Sequence, residues 1–307
     1  IHQKVEELNS PYTGKERGVV MLGFACDEGV RRNKGRTGAK KGPYELKKML
    51  GKHTYHWAGL PLYDGGYVVC NDNELEKSQK ELSIEVHNIL QYGHFPIIFG
   101  GGHEVAYGNF SGLLNYYSKV MDNPKIGIIN FDAHFDLRDY KHFSHSGSSF
   151  LQIADLCQKE NREFYYLCIG VSKTSNSKAL FNTANKLSVK YILDEDICIY
   201  KSEFLERNIT EFVEKTNIIY ITLDLDVLPC YIAPGVSAPA GRGISVEVLN
   251  YILNFLFSNF SDKIKIIDMA EYAPSYDIND NTARVSTRLI FSIIDKLYPT
   301  FKKDINR

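Results

Sequence analysis

A chain of 307 residues, 44% of them hydrophobic, is long enough for one large α/β domain or two smaller ones and can bury a sizeable core. Its formal net charge of −1 gives no electrostatic reason to expect nucleic acid or a membrane surface as partner. No apolar stretch approaches the roughly 20 residues a spanning helix requires, and six cysteines (Cys26, Cys70, Cys157, Cys168, Cys198 and Cys230) lie scattered without CxxC spacing, which points to reduced thiols in the cytoplasm.

The chain begins at Ile1 without a signal-like segment, and a trimmed start is expected. The first strand is predicted over Val19 to Ala25, followed by a Gly-rich, basic stretch from Asp27 to Gly42 that reads as a long functional loop. A helix over Glu74 to Tyr92 leads to a strand at Pro96 to Phe99, and a further strand follows at Ile126 to Phe131. Beyond it come a helix (Ser149 to Glu160), a strand (Tyr165 to Val171), a helix (Ser177 to Leu187) and a strand (Lys190 to Leu193). The last predicted elements are a helix over Glu203 to Lys215, a strand over Ile218 to Leu223, a helix over Val246 to Asn259, a strand over Ile264 to Met269 and a helix over Thr282 to Leu297. Such alternation implies βαβ units and a parallel sheet with helices on both faces. No repeat, low-complexity tract or linker divides residues 1–307, so they read as a single domain.

Three predicted strands end on potential metal ligands: Gly100-Gly101-Gly102-His103-Glu104, Asp132-Ala133-His134-Phe135-Asp136 and Asp224-Leu225-Asp226. The crevice of an open α/β sheet lies at the carboxyl ends of its strands, so three such ends side by side would converge four carboxylates and two imidazoles. Carboxylates that close repel unless cations sit between them, which points to a pair of divalent metals. Asp132, His134 and Asp136 alternate, so an extended backbone would project all three to one side and turn Ala133 and Phe135 into packing. The glycine run reads either as a phosphate cradle or as a close backbone approach; no Lys-Ser/Thr follows to make a P-loop. Imidazole and carboxylate ligands without thiolate favour Mn²⁺.

These three segments, in order and followed by Ala233-Pro234-Gly235, resemble the signatures of the ureohydrolase superfamily of arginases, agmatinases and formimidoylglutamases. The resemblance runs from about Gly18 to Leu297 and implies a three-layer αβα fold with a mostly parallel sheet of about eight strands. It implies two Mn²⁺ per chain, one on His103, Asp132, Asp136 and Asp224, the other on His134, Asp132, Asp224 and Asp226, so that Asp132 and Asp224 bridge. It also suggests a homo-oligomer, for which no interface signature is visible. Within the superfamily, the stretch Gly23 to Arg36, Asp136-Leu137-Arg138, Val227-Leu228-Pro229 and Ala233 to Pro239 resemble the formimidoylglutamase subfamily. Phe150 follows the Ser146-Gly147 pair where arginases carry a proton-shuttling histidine; Leu151 departs from the subfamily's usual Arg.

The function this implies is hydrolysis of N-formimidoyl-L-glutamate to L-glutamate and formamide, a step of histidine degradation, by water activated between the metals. Asp136 is placed to accept and return a proton, and Glu271 matches the superfamily glutamate that orients the amidine carbon. Arg138 offers a bidentate clamp for a substrate carboxylate, with Arg31, Arg32 and Arg36 of the long loop, Asn33 and Ser146 as further candidate contacts. His142 and His145 read as solvent-facing loop residues. The alternatives are a sister hydrolase of agmatine, guanidinobutyrate or arginine, a single-zinc deacetylase of related fold, and a catalytically silent metal-binding scaffold.

Overall fold

The computed structural model describes residues 1–141 and 143–305, the side chains of 303–305 excepted. Nine strands are found among them: β1 (Val5–Glu7), β2 (Val19–Ala25), β3 (Leu62–Val69), β4 (Phe95–Phe99), β5 (Ile126–Phe131), β6 (Tyr165–Val171), β7 (Lys190–Leu193), β8 (Ile218–Asp224) and β9 (Ile264–Ala270). They form one sheet in the order β1-β3-β2-β4-β9-β8-β5-β6-β7, with every pairing parallel. The helices are α1 (Glu28–Arg32), α2 (Gly42–Gly51), α3 (Leu75–Gln91), α4 (Val105–Val120), α5 (Ser149–Lys159), α6 (Lys178–Lys186), α7 (Ser202–Val213), α8 (Val246–Phe260) and α9 (Asn281–Ile305).

A parallel sheet needs cover on both faces, and its strands therefore read as continuous apolar runs. Successive residues of one strand feed opposite cores: Val19 and Met21 join one apolar cluster, Val20 and Leu22 the other. The first cluster includes Leu46 of α2, Ile209 of α7, Leu253 of α8 and Ile290 of α9. The second includes Val86 of α3, Phe110 of α4, Ile153 of α5 and Ala184 of α6. The result is the expected αβα sandwich. Local signals agree at the helix starts, where Ser177 and Ser245 accept the backbone N–H of Leu180 and Val248.

Three departures from the sequence reading bear on the site. The predicted Asp27–Gly42 loop contains the short helix α1 and a 3-10 turn at Ala39–Lys41. The strand β3 escapes the pattern because Asp64-Gly65-Gly66 interrupts it, where its register against β2 also shifts. Most important, the three ligand-bearing strand ends are not side by side. The chain builds β1–β4 and then β5–β7, and β8 and β9 return to fill the gap between β4 and β5, so that β9 separates β4 from β8.

Candidate metal centre

The ligand residues are delivered by turns rather than by straight strands. After β4, a Cβ on Gly101 would lie 1.6 Å from the Cys26 carbonyl oxygen, so only glycine fits, and Gly102 N donates to that same carbonyl at 2.9 Å. The glycine run is thus a close backbone approach, not a phosphate cradle, and it presents His103. The strand β5 ends at Phe131, one residue before Asp132, and Asp136 has a left-handed backbone with φ +48°. Extended alternation therefore does not continue through Asp136, yet the side chains sort as expected. Phe135 is buried with its ring against Phe181 and Tyr191, and Ala133 is buried too. Asp224 is the last residue of β8, and Asp226 follows in a 3-10 turn whose N–H bonds Asp224 Oδ1 at 2.8 Å.

His103 Nδ1 lies 3.1 Å from one oxygen each of Asp132, Asp136 and Asp224. His134 Nδ1 lies 3.0 Å from Asp226 Oδ2 and 3.4 Å from Asp132 Oδ1. Two donor sets result, His103–Asp132–Asp136–Asp224 and Asp132–His134–Asp226, with the ligand atoms of each within 4.8 Å of one another. Asp132 turns one oxygen to each set. Asp224 stands in the first set, its Oδ2 facing His103 and its Oδ1 accepting the Asp226 N–H at 2.8 Å.

Burial alone would lower the His103 imidazole, but the surrounding carboxylates hold it well above its ordinary value, and His134 is raised in the same way. Burial pushes the Asp224 carboxyl well up, helped by Asp226 and Asp132, and pushes Asp226 up to about 6. His103 Nδ1 is buried and has no hydrogen-bond partner despite three facing oxygens. Donors about 2.1–2.2 Å from one small divalent ion and at right angles are about 3 Å apart, the spacing found here. An ion among them would join the orphaned nitrogen to the crowded carboxylates, so the residues fit a metal.

Glu271 enters from β9, the strand between β4 and β8. It is buried with φ +68°, its Oε1 accepts the His103 N–H at 2.9 Å, and its own N–H bonds Gly101 at 2.8 Å. Burial, reinforced by Glu104, drives its carboxyl well above the ordinary range. This is no surface carboxylate.

The model of the arginase family matches residues 17–295. The chain belongs to the arginase family. It is 42% identical over 294 residues to a curated formimidoylglutamase of Aeromonas hydrophila, covering 95% of this chain and 91% of the relative. The formimidoylglutamase of Chromobacterium violaceum is 42% identical over 292 residues, with coverages of 95% and 91%. In fold it resembles a Trypanosoma cruzi formiminoglutamase crystallised with Mn²⁺ (TM-score 0.81, 23% identity, 94% of this chain and 97% of that one) and the formimidoylglutamase of Bacillus subtilis (0.81, 22%, 96% and 92%).

At the rim of this arginase-family hydrolase, the backbone N–H of Arg138 bonds Gly147 at 2.8 Å and its guanidinium donates to Asn33 Oδ1 at 3.2 Å. Asn33 Nδ2 in turn donates to Ser146 Oγ at 3.2 Å, so three of the six candidate substrate contacts form one chain. The others do not join it. Arg31 is tied to both oxygens of Glu28 at 2.6 Å, and Arg32 bridges Glu28 and Glu76. Arg36 donates to the Val236 and Ser237 carbonyls and lies over the Tyr276 ring. Among the described residues no carboxylate pairs with the exposed Arg138.

Two further sequence positions lie close by, and one of them differs from its expectation. Phe150 is fully buried, stacked on Tyr166 at 4.4 Å and edge-on to His103 at 5.1 Å, so its ring packs behind the ligand. His145 is half-buried rather than solvent-facing, with Nε2 on the Asp139 carbonyl at 3.2 Å. His142 lies outside the described residues. The sequence reading quoted Glu104 without giving it a role. It is fully buried, accepts the Gly29 N–H at 2.8 Å and so couples α1 to the His103 turn.

Proposed function

We propose that this chain hydrolyses N-formimidoyl-L-glutamate to L-glutamate and formamide with two Mn²⁺ ions, working as one cytoplasmic ureohydrolase unit. The observation that carries the substrate is the 42% identity, over 95% of the chain, to a curated formimidoylglutamase. The orphaned His103 Nδ1 among three carboxylates supports the metal. In this reading His103, Asp132, Asp136 and Asp224 hold one ion and Asp132, His134 and Asp226 the other. When bound, such a pair lowers the pKa of shared water toward neutrality and polarises the amidine.

The chain's own residues then have separate tasks. Asp136 is more exposed than Asp132 or Asp224 and is therefore the ligand carboxylate best able to take a proton from water and pass it to the departing glutamate nitrogen. Water supplies the new C–O bond, the C–N bond to glutamate breaks, and the freed amine receives that proton. Glu271, anchored by the His103 N–H, faces the positive charge of the protonated amidine. Arg138 clamps a substrate carboxylate beside Asn33 and Ser146. No described helix is long and apolar enough to cross a membrane, and all six cysteines are free. The test is a substrate panel with Mn²⁺-loaded protein, assayed for formamide and for urea. Formamide from the dicarboxylate is expected; urea from arginine or agmatine at higher kcat/KM would overturn the assignment.

A further inference from the structure

Behind His103 runs a line of buried polar groups that neither donor set uses. His103 Nε2 lies 3.0 Å from Thr222 Oγ1, and Thr222 Oγ1 donates to Asp268 Oδ1 at 2.7 Å. The other oxygen, Asp268 Oδ2, accepts from Asn109 Nδ2 at 2.8 Å and from the Tyr220 hydroxyl. Thr222 and Asp268 are direct partners in the β8–β9 ladder, Tyr220 stands two residues earlier on β8, and Asn109 comes from α4. All four residues are fully buried.

A carboxylate in the middle of a central strand is costly unless its charge is used and its lone pairs are satisfied. Among the described residues no Lys or Arg pairs with Asp268; what faces it are three donors, and beyond one of them an imidazole. The direction of each proton follows. Burial raises the Asp268 carboxyl while His103 and the three donors pull it back down, and with donors on both oxygens the Thr222 hydroxyl gives its single proton to Oδ1. Having spent that proton, Thr222 can only accept from His103, which must therefore carry N–H at Nε2. In the neutral ring that a metal requires, the lone pair is then left on Nδ1, the atom that faces Asp132, Asp136 and Asp224.

We infer that Asp268, acting through Thr222, is the positioning residue that sets the His103 tautomer and aims its Nδ1 lone pair at the first metal. The inference rests on the two-metal reading above. It goes beyond it by assigning a task to two residues that touch neither metal nor substrate. Outer partners of ligand histidines act in this way by fixing ring orientation and basicity. The shared register of β8 and β9 is what makes the relay rigid: the hydroxyl and the carboxylate are held by the ladder itself.

The test is titration of the metal-free full chain with MnCl₂ by calorimetry, checked by elemental analysis. In Asp268→Asn, an amide N–H in place of the carboxylate oxygen lets Thr222 turn its proton toward His103 and favours the tautomer with Nδ1 blocked. The first ion is expected to bind about 10–100-fold more weakly, the scale of losing an outer partner, while the ion of the His134 set changes less than about threefold. Thr222→Val should reproduce the split and Thr222→Ser should restore wild-type affinity, a rescue that a merely structural role would not produce. These two variants carry the test if Asp268→Asn does not fold. Wild-type affinity for both ions in Asp268→Asn or in Thr222→Val overturns the relay, as does equal weakening of the two ions. If the wild-type chain itself takes up fewer than two ions, it is the two-metal reading that fails.

Discussion

The Glu271 carboxylate accepts the backbone N–H of His103 at 2.9 Å, which ties the end of β9 to the turn after β4. The same short segment also receives Gly101 as a hydrogen-bond partner of the Glu271 N–H, at 2.8 Å. One residue thus braces a metal-ligand turn and brings a buried carboxyl beside it, one that burial holds above the ordinary range until a cation faces it. The two roles separate by mutation. Glu271→Gln keeps an acceptor for the His103 N–H and removes the group that can ionise when the amidinium faces it, so kcat/KM should fall at least about 100-fold, as for other preorganised electrostatic groups, with Mn²⁺ content unchanged. Loss of Mn²⁺ in the Gln variant would make Glu271 a structural brace alone.

The donor geometry makes the bridging prediction asymmetric. Asp132 turns an oxygen to each histidine, whereas Asp224 turns Oδ2 to His103 and gives Oδ1 to the Asp226 N–H. Chelator-stripped protein should be inactive and recover with two equivalents of Mn²⁺. Asp132→Asn should lose both ions, and Asp224→Asn should lose chiefly the ion on His103. Elemental analysis of the two variants reads the difference directly. Equal loss of both ions from Asp224→Asn would restore the doubly bridging arrangement implied by family resemblance.

Much of the centre was legible because strands covered on both faces read as apolar runs, and a polar group at the end of such a run is conspicuous. Ile218 to Leu223 breaking into Asp224-Leu225-Asp226 is one case; Ile126 to Phe131 breaking into Asp132 is another. Strand order was not legible, because periodicity says which face a residue takes and nothing about its neighbour strand. Hence the insertion of β9 between β4 and β8 was missed. The helix α4 was missed for a different reason. Gly108 and Gly112 depress helix propensity, yet a Cβ on Gly112 would stand 2.7 Å from the Ser83 carbonyl, so packing against α3 requires them. Asp268 carried a visible signal, an acidic residue within the apolar run Ile264 to Ala270, but its task depends on Thr222 lying opposite on β8, which only register reveals.

Arg138 differs from the neighbouring arginines in having no carboxylate partner among the described residues, while Glu28 occupies Arg31 and Arg32. Arg138→Ala should therefore cost about 2–3 kcal/mol in kcat/KM for formimidoylglutamate, the scale of a lost charge-assisted contact. Arg138→Lys should recover only part, since an ammonium lacks the planar fork. Arg31→Ala should change kcat/KM little. Steady-state kinetics of the three variants decides the matter, and a larger loss from Arg31→Ala than from Arg138→Ala would move the clamp to α1.

Phe150 is the last case, and its burial sets the expectation. The ring fills the space between Tyr166 and the edge of His103, with no exposed surface. Phe150→Ala removes those contacts and leaves a cavity, so unfolding free energy should drop by about 3–5 kcal/mol, read by urea denaturation. Phe150→Leu retains most of the volume and should cost less than half of that. Phe150→His would strand a polar ring in the core, where it faces no substrate; it should destabilise the fold and confer no arginase activity. A stable Phe150→His variant that releases urea from arginine would show that position 150 reaches the cleft after all.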